Sequence, residues 1–324
     1  MADFRTATAL SLMRRTAPFI LFRLVVYTGI ALAYVLATGA GGGVGYGIGA
    51  FWGADGRLTG SAYGALAGFG LTAAALYLLR EYILYIVKAG HIAVMVELLQ
   101  GRAIPDGQGQ IGYARGMVAD RFGTASVLFG VDQLVKGTIT AVTGLLEGLM
   151  SVLPIPGAAQ VMGAVRAYLR VAVGLMDEVM LAHCFATRSD NPFVASRDAL
   201  VLYAQNARPM LTNAAWITAW VWGLSLLIFL VMLVPAGLIV WMLPGQATAA
   251  GFAIALVFAW AVKVALIEPF ALACLLQVYL KVTAGQAPDP AWTARLDTAS
   301  DTFRTLRQRA MAFVRPQPAT GVPA

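Results

Sequence analysis

Residues 211–243 run for 33 positions without a charged side chain. A helix crosses the hydrocarbon layer of a bilayer with about 20 mostly apolar residues, so this run alone is long enough to span. Residues 24–54, 58–79 and 249–262 are also uncharged, and the last stretch stays largely apolar to Val282. Only 12% of the 324 residues are charged, against about 25% in a soluble globular domain. A chain with mean hydropathy +0.74 has too few polar side chains to cover a wet surface and too many apolar ones to stay disordered. The class this implies is an integral membrane protein, not an ordinary soluble enzyme.

The fold class expected is all-α and polytopic, with six transmembrane helices as three hairpins and cytoplasmic amphipathic helices between them. The crossings are expected at 18–38, 61–87, 128–153, 159–186, 211–243 and 249–280. Residues 39–60 read as a glycine-rich joint, and Pro154–Gly157 and Pro244–Gln246 read as short uncharged turns. Residues 1–16, with Arg5, Arg14 and Arg15, read as a basic amphipathic helix lying on the inner membrane face. Long polar segments follow at 88–123 and 187–210, and 283–324 forms a basic tail.

Sixteen of the 23 lysines and arginines fall in these four segments when the last is counted from Lys281, and one, Arg57, falls on the opposite side. Lys and Arg gather in cytoplasmic loops. Both termini are therefore expected in the cytoplasm, at the plasma (inner) membrane. Three segments share a style in which a Pro/Asp or Pro/Asn turn precedes a helix: Gly101–Asp106, Ser189–Pro192 and Gly285–Asp289. Proline is a start signal because it tolerates the first helical turn. The likeness is either an internal repeat or what any such helix needs before it.

The net charge of +7 does not point to nucleic acid, because the basic residues are scattered between apolar runs instead of forming one face. Cys184 and Cys274 lie 90 residues apart in apolar stretches, which fits neither a disulfide framework nor a zinc site. The histidines are His91 and His183, and Glu178 to His183 is not a metal-ligand spacing. Ser126 and Ser151 lack a base. No enzyme, cofactor or metal is expected. Trp216, Trp220, Trp222, Trp241, Trp260 and Tyr168 read as interface belt or core, although aromatic rings beside acids also hold organic cations.

Seven glycines occupy residues 39–49. No strand precedes them, so they are not a dinucleotide fingerprint. Gly60, Gly64 and Gly68 are spaced by four, as are Gly45, Gly49 and Gly53, and small residues at that spacing let membrane helices approach closely.

The charges inside the apolar stretches carry the functional question. A charge at a membrane-helix centre costs about 2.5–3.5 kcal/mol on insertion scales. Asp132, Lys136 and Glu147 share one helical stripe, as do Arg166, Arg170 and Asp177, with Glu178 adjacent. Glu81 and Lys88 share another face, and Lys263 and Glu268 lie on the last crossing. Counting the spans and their ends, six bases (Arg23, Arg80, Lys136, Arg166, Arg170 and Lys263) meet six acids (Glu81, Asp132, Glu147, Asp177, Glu178 and Glu268), and this balance implies pairing inside the bundle. Asp132, Lys136, Glu147, Arg166, Arg170, Asp177, Glu178 and Glu268 are the candidates to line a solute pathway. The competing reading makes them structural ion pairs. Pro269 follows Glu268, and a proline bend beside a carboxylate resembles the broken helices of transporters.

Tyr113-Ala114-Arg115 followed by Arg121-Phe122-Gly123-Thr124-Ala125-Ser126-Val127-Leu128-Phe129-Gly130 resembles the choline-transporter-like proteins, in which a basic helix runs into an FGS-type membrane segment. Asp190 to Asn206, with Ala195, Arg197 and Asp198, is similar to that family's later cytoplasmic helix, and Ala271 to Asp289 to its final membrane helix and tail. The second glycine of the motif is displaced by two residues, Val131-Asp132 replaces Ser-Leu, and one hairpin stands where the family has a longer amino-terminal membrane region. The resemblance implies a transporter-like bundle with a choline-like substrate, and no binding residue carries over.

The function expected is therefore a transporter or channel-like protein for a small, choline-like cationic solute. The alternative is a non-transporting scaffold or a subunit of a larger membrane complex. Membrane lipid is the expected surrounding, and a homo-oligomer fits both readings.

Overall fold

The computed structural model describes residues 3–79, 85–105, 109–122, scattered positions from 127 to 138, 176–242 and 248–313. Among these residues all regular structure is helical. The helices are α1 (Thr6–Arg15), α2 (Ala17–Gly49), α3 (Gly53–Leu79), α4 (Tyr85–Leu99), α5 (Gln110–Phe122), α6 (Met176–Thr187), α7 (Pro192–Gln205), α8 (Ala207–Met242), α9 (Thr248–Val262), α10 (Glu268–Val282), α11 (Pro290–Ala299) and α12 (Asp301–Ala312). A short 3₁₀ turn, Ala50–Trp52, joins α2 to α3, and a π-helical turn, Lys263–Ile267, joins α9 to α10. Among the described residues three stretches are long and apolar enough to cross a membrane, namely Ala17–Tyr77, Ala207–Pro235 and Ala253–Val282. The protein is an all-helical, membrane-embedded chain. Most of the expected crossing at 128–153 and most of that at 159–186 lie outside the described residues.

The chain divides into two compact units. One comprises Met1–Ala17, Ile86–Trp220 and Phe270–Ala324, and the other Pro18–Tyr85 and Val221–Pro269.

The unit of Pro18–Tyr85 and Val221–Pro269 turns large apolar side chains outward. On α2, Leu21, Val25, Leu32 and Leu36 are 47–71% exposed, and their spacing puts them on one face. On the later part of α8, Trp222, Leu226, Leu230, Val234 and Trp241 are also exposed. An exposed apolar surface of this extent marks contact with a non-aqueous partner, which for helices of this length is lipid. Inside the unit, Tyr27 and Ala31 pack against Ala261, Val264 and Ala265. The Trp260 ring meets Tyr27 edge-on at 5.8 Å.

Glycine sets how α2 meets α3. Gly41 faces Gly64, Gly45 faces Gly60, and Gly49 faces Gly56, while Gly68 meets the backbone of Ala37. Residue numbers rise on one arm as they fall on the other, so the arms run antiparallel. A Cβ on Gly41, Gly45, Gly60, Gly64 or Gly68 would fall on the facing carbonyl oxygen. The reversal itself needs Gly53, whose φ of +82° few other residues tolerate.

Residues 39–49, read from sequence as part of a joint, are instead the last three turns of α2. Each glycine in a helix interior costs about 1 kcal/mol relative to alanine. Close backbone packing offsets that cost here, and in lipid a helix also keeps its backbone hydrogen bonds inside the segment.

The other unit has a more conventional core. The expectation placed 88–123 in a polar segment, yet α4 is deeply buried, with Ala89 and Ile92 to Val96 fully enclosed. Apart from His91, residues 89–96 are apolar on every side, the mark of a helix wrapped by neighbours, and a charge-based boundary at Lys88 hides this. Helix α6 packs on α7, which also carries α11 and α12. Phe303 and Leu306 of α12 are fully buried. The apolar side of α1 also has a protein partner, since Phe4, Ala9 and Leu12 are buried. Thr16 Oγ1 lies 2.9 Å from His91 Nε2.

Two of the three turn-then-helix segments are described, and both start alike. Asn191 Oδ1 accepts from the amides of Phe193 and Val194 at 3.0 and 3.2 Å ahead of Pro192 at the helix start. Asp289 Oδ1 accepts from the Ala291 amide at 2.7 Å ahead of Pro290. The cap supplies an acceptor for an orphan amide, and the proline has no amide to orphan.

Gly45→Val or Gly60→Val should lower the unfolding midpoint in detergent by several degrees, in line with an overpacking cost of about 1–3 kcal/mol. Gly43→Val and Gly47→Val, where an added Cβ meets open space, should leave it unchanged. Equal effects at all four positions would mean that α2 and α3 do not pack through this face.

Candidate functional site

Among the described residues three ionic groups each hold a buried charged side chain. The first forms where α9 joins α10. Proline at 269 has no amide proton, so one backbone carbonyl loses its donor. The Glu268 amide donates to Lys263 O, five residues back, and the next bond in that register would run from residue 269 to Val264 O. Arg23 supplies the missing donor, its Nη2 lying 2.8 Å from Val264 O. The same nitrogen lies 3.3 Å from Glu268 Oε2, and the guanidinium sits 5.7 Å from the Tyr27 ring centre. Lys263 Nζ approaches Glu268 Oε1 at 3.9 Å. The sequence places Glu268 and Pro269 together. What it does not show is that Arg23, 6% exposed on α2, closes both the carboxylate and the carbonyl.

The second group joins α4 to α6. Lys88 Nζ lies 3.3 Å from Asp177 Oδ2 and also pairs with Glu178 Oε1. Asp177 and Glu178 are 7% and 4% exposed. Among the described residues no donor reaches Glu178 Oε2, which is buried. Sequence spacing pairs Lys88 with Glu81, which lies outside the described residues, whereas the fold brings Lys88 to Asp177 and Glu178. Asp132, Lys136, Glu147, Arg166 and Arg170 also lie outside the described residues.

The third group was missed in the sequence. Glu97 closes α4 and is fully buried. Arg102 grips it with two bonds, Nε to Oε2 at 2.6 Å and Nη2 to Oε1 at 2.7 Å. Arg188 Nη2 lies 3.4 Å from Oε2. Both arginines arrive through helix ends of one design. After α4, the Arg102 amide donates to Glu97 O at 2.9 Å and Gly101 takes φ +72°. After α6, the Ser189 amide donates to Cys184 O, and Arg188 itself takes the left-handed position at φ +52°. These are Schellman turns, which favour glycine at that position. Arginine there carries a strain of about 1–2 kcal/mol and sets its guanidinium on Glu97. A signal for the first turn is present in the sequence: an acid at the end of an apolar helix, then glycine, then arginine at the sixth position. Tyr113 lies close by, and burial together with the Glu97 charge holds its phenol above the usual value.

Gly60, Gly64 and Gly68 sit on the α2–α3 face described above. Cys184 and Cys274 are buried and form no disulfide. Among the described residues no three His, Cys, Asp or Glu side chains come together as metal ligands.

Near the amino terminus, Asp3 and Asn213 exchange two bonds. The Asp3 amide donates to Asn213 Oδ1 at 2.6 Å, and Asn213 Nδ2 donates to Asp3 Oδ2 at 2.8 Å. That second bond, followed by the charge of Lys281, holds the Asp3 carboxyl below its usual value.

No protein-family model, curated protein or solved structure matches this chain.

Arg23→Ala should cost about 1–3 kcal/mol, the price of an unsatisfied buried acceptor. Pro269→Ala, which restores an amide to Val264 O, should recover part of that loss. A double-mutant cycle of unfolding midpoints showing no coupling between the two changes would refute the assignment. The Asp3 tether should also respond to acid. A carboxyl held low in the folded state adds stability above its unfolded value of 3.8, and that stability is lost as the pH falls through the depressed folded value. Exchange at the Asp3 amide should therefore accelerate in acid beyond its intrinsic pH dependence, whereas a rate tracking the intrinsic curve would exclude the tether.

Proposed function

We propose that this protein is a transporter or channel-like protein for a small cationic solute, and that Asp177 and Glu178 are its cation-attracting element. The observation that carries the reading is Glu178. One of its carboxylate oxygens pairs with Lys88, and among the described residues no donor reaches the other, which is buried. A buried acceptor without a partner is costly, and an incoming cation relieves that cost. The Lys88 ammonium already rests against both carboxylates, so it stands where the ammonium of a solute would compete with it. A compact, choline-like ammonium ion fits this chemistry, and the likeness to choline-transporter-like proteins over 113–130, 190–206 and 271–289 agrees with it.

The reading takes six crossings as three hairpins. They are α2 with α3, 128–153 with 159–186, and 211–243 with 249–280, with both termini in the cytoplasm at the plasma membrane. The bias of Lys and Arg toward the four polar segments supports that orientation.

A different observation favours a scaffold or complex subunit instead. The Arg23–Glu268 and Arg102–Glu97 pairs are closed, as structural charges are.

Proteoliposomes loaded for counterflow should take up radiolabelled choline, or another small cation, above empty vesicles. Glu178→Gln should reduce that uptake by at least about tenfold, equivalent to ~1.4 kcal/mol, while leaving the unfolding midpoint within a few degrees. If folded protein gives no flux of any amine or inorganic cation, the transport reading fails and the scaffold reading stands. That outcome would be matched by recovery of a stoichiometric partner from native membranes.

A further inference from the structure

A half-open cavity of about 770 Å³ lies in the unit that contains both termini. Its size is that of a small-molecule site. The residues before α1 form one wall, and the ends of α4, α6 and α10, the turn after α10 and Leu202 of α7 form the rest. The first wall is fixed in place. Asn213, 1% exposed, holds Asp3 by the two bonds given above, and the Arg5 amide donates to Gln277 Oε1 at 3.2 Å.

The side chains facing the cavity carry a consistent chemistry. Asp3 Oδ1 lies 3.6 Å from Lys281 Nζ, so those two charges offset each other. Arg5 also lines the cavity, and among the described residues no acid lies within ion-pair distance of it. One positive charge is left over. His183 lines the cavity as well, and its Nδ1 is engaged by the Tyr279 hydroxyl at 2.9 Å, which leaves Nε2 for a ligand. Leu99 adds an apolar surface. A guanidinium fork matches the two oxygens of a carboxylate or phosphate.

We propose that this cavity binds a small amphiphilic oxyanion, its carboxylate or phosphate group on Arg5 and its short apolar body against Leu99. The ligand is either a dissolved acid or the headgroup of an anionic lipid. The site is separate from the Lys88–Asp177–Glu178 cluster, and its test does not depend on transport.

Full-length protein in nanodiscs of zwitterionic lipid is titrated with hexyl phosphate, with hexanol as the uncharged control. A second preparation includes phosphatidic acid in the disc. The readout is the unfolding midpoint. A saturable rise of a few degrees with hexyl phosphate, absent with hexanol, identifies a dissolved ligand. A rise with phosphatidic acid alone identifies a lipid headgroup. In both cases Arg5→Gln should weaken the response by about tenfold or more in concentration. Leu99→Trp, which fills the cavity and leaves every charge in place, should abolish it, and so serves if Arg5→Gln alters the fold. No saturable shift from either source overturns the proposal, as does a shift that survives both substitutions undiminished.

Discussion

A backbone carbonyl in an apolar medium must find its donor within the protein, because no water is there to supply one. Much of this architecture follows from that requirement. Long uninterrupted helices meet it by themselves, which is why α2 continues through a run of glycines that would fray in water. The requirement becomes acute at one place, where Pro269 withholds an amide and the π-turn directs the deficit to Val264. Arg23 fills it from another helix. That contact fixes the side of α2 that meets the α9–α10 junction, and Tyr27 and Ala31 then pack along the same side against Ala261 and Ala265.

Ionic groups behave differently at helix ends. Glu97 and its two arginines do not interrupt a helix; they close two. The Schellman turns after α4 and α6 satisfy final carbonyls with main-chain amides and deliver a guanidinium to a buried carboxylate in the same step. The left-handed conformation of Arg188 is explained by that delivery. Glycine would sit there with less strain, yet it would leave Glu97 with one fewer cation.

The membrane character and the helical class were legible in the sequence, because absence of charge over 20 or more residues is a strong local signal. So was the four-residue spacing of Gly60, Gly64 and Gly68. Boundaries were less legible. Lys88 looked like the start of a polar segment because a lysine commonly marks an interface, but its partners, Asp177 and Glu178, are 89 and 90 positions away and no local pattern announces them. Glu97 was missed for a related reason: within a stretch read as solvated, one more acid draws no attention. The Arg23 contact joins residues 241 positions apart. It required knowledge of which carbonyl Pro269 orphans, and that depends on a π-turn with no signature in residue type.

The same separation has a consequence for biosynthesis. A ribosome adds about 5–20 residues per second, so Arg23 emerges on the order of 10–50 s before its acceptor exists. During that interval its long side chain can keep the charge at headgroup level from a position near the start of α2. The first hairpin therefore enters the bilayer before Arg23 has its protein acceptor, and arrival of the last apolar helix supplies it. A chain cut short before residue 264 would never supply that acceptor, so Arg23 would stay without the carbonyl that holds it in the finished protein.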